Sequence, residues 1–462
     1  MPPSPDPRQA TVKRLKQTTT LQNVPEQDAL QQLGELIDAA EDLGDRAGVE
    51  HASTLAKTIH PRTPQAASLL DYFAANRWHA IRRLNYKAGK DPYSWTQPEF
   101  IEEVICLRRA VSSSGFKALP ARRRLEILTN LGNLMSHLGR AVEAIEYFDR
   151  AREEIDPSGM AVGNRGLALC YYSDRHSDSG HRKTLLAAAR DDLAAALKRP
   201  LTTQAKNGFT KLLANLDKRG LEKGLAGIRF KSFAFGKSKL ERRFRTWALR
   251  ERLFLNSLND LGPHRIAARD VLQLPTITTS LKVGPSYHGF FNQLKQEFAA
   301  ARWLAFEALE PGRETALAER IADRELGLMN ARDGAVYGLR LEKLRLSFRS
   351  SYSLLDKIAV FLNAFFKLGL PEKRINMRSV WYENADLKAD LSSRLPRENI
   401  PLRGLYWLSK DFAETEASFV AAMEADAQQL VAMRNRLEHQ YLRVTSFERQ
   451  IWKDEVAYDI RR

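Results

Sequence analysis

A helix–turn–helix pattern centred on glycine recurs in this chain, and few folds accept it. In the stretch LTNLGNLMSHLGRAVEAIEYFDRAREEIDPSG, Leu128, Leu131, Gly132 and Met135 share one helical face. Gly139-Arg140 interrupts the run. Ala144, Phe148 and Ala151 then continue at the four- and three-residue spacing of a second amphipathic helix, which Asp156-Pro157 stops. Small residues at Gly132, Ala144 and Ala151 let two helices approach closely, and Phe148 fills the space between them. Gly166 follows Gly132 by 34 residues, and after a polar insertion, SDRHSDSGHRK, the same spacing returns at Ala189, Leu193 and Ala196.

That period and pattern resemble tetratricopeptide repeats. Upstream, SLLDYFAANRWHAIRRL with EFIEEVICLRRAV, and DALQQLGELIDAAEDLG with VEHASTLAKTI, read as two further helix pairs. The expectation is a mainly α chain, with a tetratricopeptide-like helical repeat solenoid over residues 26–217. Such stacks present curved surfaces that bind other chains, so a protein partner or regulator is expected there. The first 25 residues are Pro-rich and polar at the start and are expected to form a disordered tail.

The net charge of +16 favours polyanionic partners. It concentrates between Lys218 and Arg252, where twelve Lys/Arg stand against three Asp/Glu, interleaved with Phe230, Phe233, Phe235, Phe244 and Trp247. Cations neutralise phosphates, and aromatic faces stack on unpaired bases. Lys231, Lys237, Lys239, Arg242, Arg243 and Arg245 are therefore the candidate RNA-binding residues of a connecting region, 218–280. The competing reading is a solvated basic face whose aromatics belong to the core. Within the region, GLAGIRFKSFAFGKSK reads as a short hairpin or an irregular linker. No apolar run approaches the ~20 residues that span a bilayer, and the N-terminus lacks the apolar block of a signal peptide. Cys106 and Cys170, far apart in helical patterns, offer no disulfide framework. These features predict a cytoplasmic protein with no membrane contact.

Residues 281–462 read as a helical bundle. FFNQLKQEFAAARWLAFEAL is a strong amphipathic helix. The pattern through ARDGAVYGLRLEKLRLSFRSSYSLLDKIAVFLNAFFKLGL is expected to break into two helices near Ser350. A loop-rich connection leads to DFAETEASFVAAMEADAQQLVAMRNRLEHQYLRV. That last segment contains Arg434-Asn435-Arg436-Leu437-Glu438-His439: an arginine, a polar residue, and a histidine after four intervening residues. The spacing alone is unspecific, since Arg46 and His51 share it; Asn435 and the position late in a helical domain distinguish the C-terminal copy. Together with LNSLND, LLDKIAVFLN, GLYWLSKDF and RNRLEHQYL, the segment resembles the HEPN superfamily, in particular a subgroup with repeat-like helices before the HEPN domain. Relatives of this kind carry a further long helix after the motif; here 23 residues follow His439.

The resemblance implies a metal-independent endoribonuclease of toxin or phage-defence type, without cofactor, acting as a homodimer that joins two Arg–His motifs. The residue types suit that chemistry. A neutral imidazole at His439 can take the proton of a ribose 2′-OH. Arg434 can hold the phosphate oxygens as charge builds. Asn435 can orient either group. On an ideal helix Arg434 and His439 stand about 140° apart, so a long side chain or a second protomer must bring them together. Asp356, the one acid in LLDKIAV, is a candidate positioning residue, and Arg436 and Tyr441 are candidate RNA contacts. The alternatives are a non-catalytic repeat scaffold and an RNA- or nucleotide-binding protein with an inactive HEPN domain. No Gly-rich phosphate loop, HExxH or GxSxG is present.

Overall fold

The computed structural model describes residues 6–154, 158–230, 234–277, 286–328, 334–383, 386–413, 425–439 and 444. Among these the chain is mainly α. It forms two compact units, each drawn from two stretches of chain.

The first unit takes residues up to Arg229 together with Ala389–Ala427. Its helices are α1 (Pro7–Lys16), α2 (Glu26–Leu43), α3 (Arg46–Ala56), α4 (Pro64–Lys87), α5 (Pro98–Ser112), α6 (Ala121–His137), α7 (Ala141–Glu154), α8 (Gly159–Ser173), α9 (Ser179–Ala196) and α10 (Thr203–Leu216). They pack as successive pairs, α2 with α3, α4 with α5, α6 with α7 and α8 with α9. The glycines act as expected from the pattern. A Cβ on Gly132 would stand 2.7 Å from the Phe148 ring, and one on Gly166 would stand 2.9 Å from the Ala189 carbonyl oxygen. Buried charge then joins the pairs. Arg165 on α8 donates to Asp149 on α7 at 2.7 Å and to Asp192 on α9 at 2.6 Å. Arg82 on α4 donates to Glu103 on α5 at 2.9 Å.

Two expectations are corrected here. The supposed tail carries α1, because Asp6 caps it, Pro7 starts it, and Val12 and Leu15, three apart, are buried against α2 and α3. The second correction concerns chain order. α16 (Ile400–Ala413), lying 200 residues beyond the helix pairs, belongs to this first unit, with the one-turn α15 (Leu391–Arg394) before it.

The second unit takes Phe230–Lys388 and the chain from Gln428. It holds α11 (Lys239–Arg250), α12 (Ser286–Leu309), α13 (Arg313–Asp323), α14 (Leu339–Phe366), a two-residue antiparallel ladder of β1 (Tyr382–Glu383) and β2 (Asp386–Leu387), and most of α17 (Ala425–His439). α12 and α14 run antiparallel: Tyr287 meets Phe361, Lys357 pairs with Glu297, and Ser347 donates to the Ala301 carbonyl at 2.8 Å. α14 continues through Ser350 unbroken. Ser353 bonds back to the Ser350 carbonyl at 2.8 Å, so the serines are absorbed locally without stopping the helix. The segment after Gly224 is a 3-10 turn and irregular chain; among the described residues it forms no hairpin.

Candidate active site

α17 is held to α14 by one apolar stripe and one polar stripe. Met433 and Leu437, four apart, pack with Leu341, Phe348 and Val444. Beside them, the Arg349 guanidinium donates to the Leu437 carbonyl oxygen. The next turns of α14 supply Tyr352 and Asp356. Arg349, Tyr352 and Asp356 stand at spacings of three and four, hence on one face of α14.

This face meets the motif. The Arg434 guanidinium lies 5.7 Å from the centre of the Tyr352 ring, and its Nη1 donates to Asn435 Oδ1 at 3.1 Å. A cation over an aromatic face is attracted to it without consuming the N–H donors at the edge of the guanidinium plane. Among the described residues no carboxylate pairs with Arg434. Burial pushes the Tyr352 phenol above its ordinary pKa; Arg434 pulls it down, Asp356 raises it, and the net shift is upward. Asp356 Oδ1 accepts from the Met377 backbone N–H at 3.1 Å, fixing the turn that precedes Arg378–Val380.

Arg434 and Asn435 of α17 therefore meet Tyr352 of α14, while Asp356, a turn further along α14, is bonded to the Met377 backbone. Arg436 is half-buried on α17. α17 ends at His439, whose side chain, like Tyr441 and Lys231, lies outside the described residues. Tyr352 and Arg349 were not singled out in the sequence, although their spacing from Asp356 marks the same face.

The basic segment divides into two groups. Lys237, Lys239 and Arg242 are exposed, with Arg242 also donating to the Gly236 and Lys237 carbonyls at 3.3 and 3.4 Å. Arg243 donates to the carbonyls of Glu310 and Pro311, at 2.8 and 3.3 Å. Arg245 bonds Glu241 at 3.0 Å and the Ala268 carbonyl at 2.7 Å. These two cations tie α11 to its surroundings. Phe244 and Trp247 pack with Phe254, Trp303 and Phe306, so their faces serve the core. Buried Arg302 threads this aromatic cluster and pairs with Asp270 at 2.6 and 2.8 Å. Among the described residues no helix is long and apolar enough to cross a membrane.

No curated protein and no solved structure matches the chain. A family model, LA2681-like HEPN, matches residues 278–462, the stretch that contains α12, α14, α16 and the Arg434 motif. The chain thus carries a C-terminal LA2681-like HEPN domain, preceded by an N-terminal helical region.

Proposed function

We propose that this chain is a metal-independent endoribonuclease of toxin or phage-defence type, regulated through its N-terminal helices. The single observation that carries the reading is the Arg434–Asn435 pair against Tyr352 within the LA2681-like HEPN region. In this reading His439 takes the proton from a ribose 2′-OH. The freed oxygen attacks the adjacent phosphorus, the P–O5′ bond breaks, the leaving O5′ takes a proton from water, and a 2′,3′-cyclic phosphate and a 5′-hydroxyl end result. Arg434 holds the phosphate oxygens as their charge grows. Asn435 orients that guanidinium, and Tyr352, with Asp356 a turn further along, keeps it from folding away. Two motifs meet across a two-fold axis in a homodimer, which supplies the second half of each site. Lys237, Lys239 and Arg242 guide the RNA, with Arg436 and Tyr441 contacting it near the cut.

The test is cleavage of a mixed RNA pool in EDTA by the wild type and by His439→Ala and Arg434→Ala, with end-group analysis. Cyclic phosphates from the wild type alone are expected. Equal cutting by all three would remove the site assignment. Salt-dependent RNA binding with no cutting by any of them would favour the non-catalytic reading, to which the three exposed cations also lend support.

A further inference from the structure

α16 is seated in the first unit by contacts of an unusual kind. Asp411 is 1% exposed, and its carboxylate accepts from Arg108 on α5, with one bond at 3.0 Å, and from Arg140 just before α7. Glu143 on α7 pairs with the same two guanidiniums. Arg403, 3% exposed, donates to the Tyr93 carbonyl at 2.7 Å. Trp407 meets the Phe100 ring edge-on at 6.3 Å, and Tyr406 meets Trp95 at 5.4 Å. A Cβ on Gly404 would stand 2.5 Å from the Gly139 carbonyl oxygen, so the two backbones touch. Burial raises the Asp411 pKa, but Arg108 and Arg140 outweigh it and hold the carboxyl below its usual range.

Arg403, Trp407 and Asp411 recur every four residues, on one helical face. Aromatic anchors, arginines and one enclosed ion pair are the composition of a recognition surface. A helix placed only for stability would do as well or better with apolar residues there, whereas a buried charge pair discriminates between partners. The segment also enters this unit from outside and leaves it again: the chain departs at Arg229, returns at Ala389 and departs after Ala427.

We infer that the surface formed by Trp95, Phe100, Arg108 and Arg140 is a docking site for an aromatic helix that presents one aspartate to the two arginines. α16 is its resident internal ligand, and a protein partner presenting the same Trp–Asp face displaces it. The docking does not rest on the nuclease reading.

The first measurement is hydrogen exchange on the full wild-type chain, followed by titration with a labelled peptide of residues 397–413. The amides of α16 are expected to open as a separate unit, at least tenfold more readily than the interiors of α5 and α7. The peptide is expected to bind the full-length Asp411→Asn chain, whose own α16 is loosened, at least tenfold more tightly than the wild type. An Asp411→Lys peptide should bind neither. If α16 exchanges only together with α5 and α7, or the peptide binds both chains equally, α16 is an ordinary core helix and the inference fails. The exchange measurement needs no variant and no cleavage, so it decides the matter even if Asp411→Asn folds poorly or the protein cuts no RNA.

Discussion

The enclosed arginines of the first unit and Arg434 of the second are used in opposite ways, Arg302 of the second unit following the enclosed pattern with Asp270. In the first, Arg82, Arg108 and Arg165 are almost wholly enclosed, and each is matched to carboxylates on neighbouring helices. In the second, Arg434 leans on a tyrosine ring and an amide, with no carboxylate partner among the described residues. A guanidinium locked between acids determines how helices stack. One resting on an aromatic face keeps donors for an anion that arrives later. The same residue type thus fixes architecture in one place and, in the proposed function, serves chemistry in the other.

The largest expected effect falls on the reserved arginine. Arg434→Ala or His439→Ala should lower RNA cleavage by roughly 10²–10⁴-fold and shift the melting temperature little; a large loss of stability from Arg434→Ala would dissolve the contrast. Arg165→Ala should do the reverse. It takes the closest cation from buried Asp192 and half-buried Asp149 and should destabilise the first unit by about 3–5 kcal/mol, the usual cost of breaking a buried pair, measurable by urea unfolding. Gly132→Ala, which drives a Cβ into Phe148, should cost about 1–3 kcal/mol in the same assay, with Phe148→Leu restoring part of it.

Acid sharpens the comparison further. Burial raises the Glu103 pKa, but His79 and Arg82 outweigh it and hold the carboxylate below its ordinary value. A depressed acid pKa contributes stability that is complete above the unfolded value, about 4.3, and is lost as pH falls through the folded one. Unfolding of the first unit should therefore steepen below about pH 4, and Glu103→Gln should flatten that limb. The smallest effect concerns the surface. Lys239→Ala and Arg242→Ala should each reduce the slope of RNA affinity against salt by about one. Arg243→Ala, which loses bonds to carbonyls, should change stability more than that slope.

What could be read from the sequence follows the range of the interactions. Gly132 with Phe148, and Ala189 with Leu193, are local enough that spacing alone reveals the helix pairs. The Arg434 motif is a local string too. α1 was missed because polar, Pro-containing composition outweighed two buried residues, Val12 and Leu15. The break expected in α14 ignored that a serine can return its hydroxyl to a nearby carbonyl and leave the helix intact. Tyr352 carried the right spacing to Asp356, but no string says which face of α14 meets α17. Asp411 was beyond reach. Its partner Arg108 lies 303 residues away, and nothing in LSKDF announces a distant arginine.

The two-piece first unit also has a schedule during synthesis. Arg108 and Arg140 leave the ribosome with Glu143 but long before Asp411, the second acid they pair with. Roughly 200 residues separate the last helix pairs from α16, which at ~5–20 residues per second is a delay of about 10–40 s. Through that interval the nascent helices present an unfilled cationic seat, open to a chaperone or to any acidic segment nearby. Arg434 is translated only after α16, so the polypeptide can fill that seat before its motif helix exists.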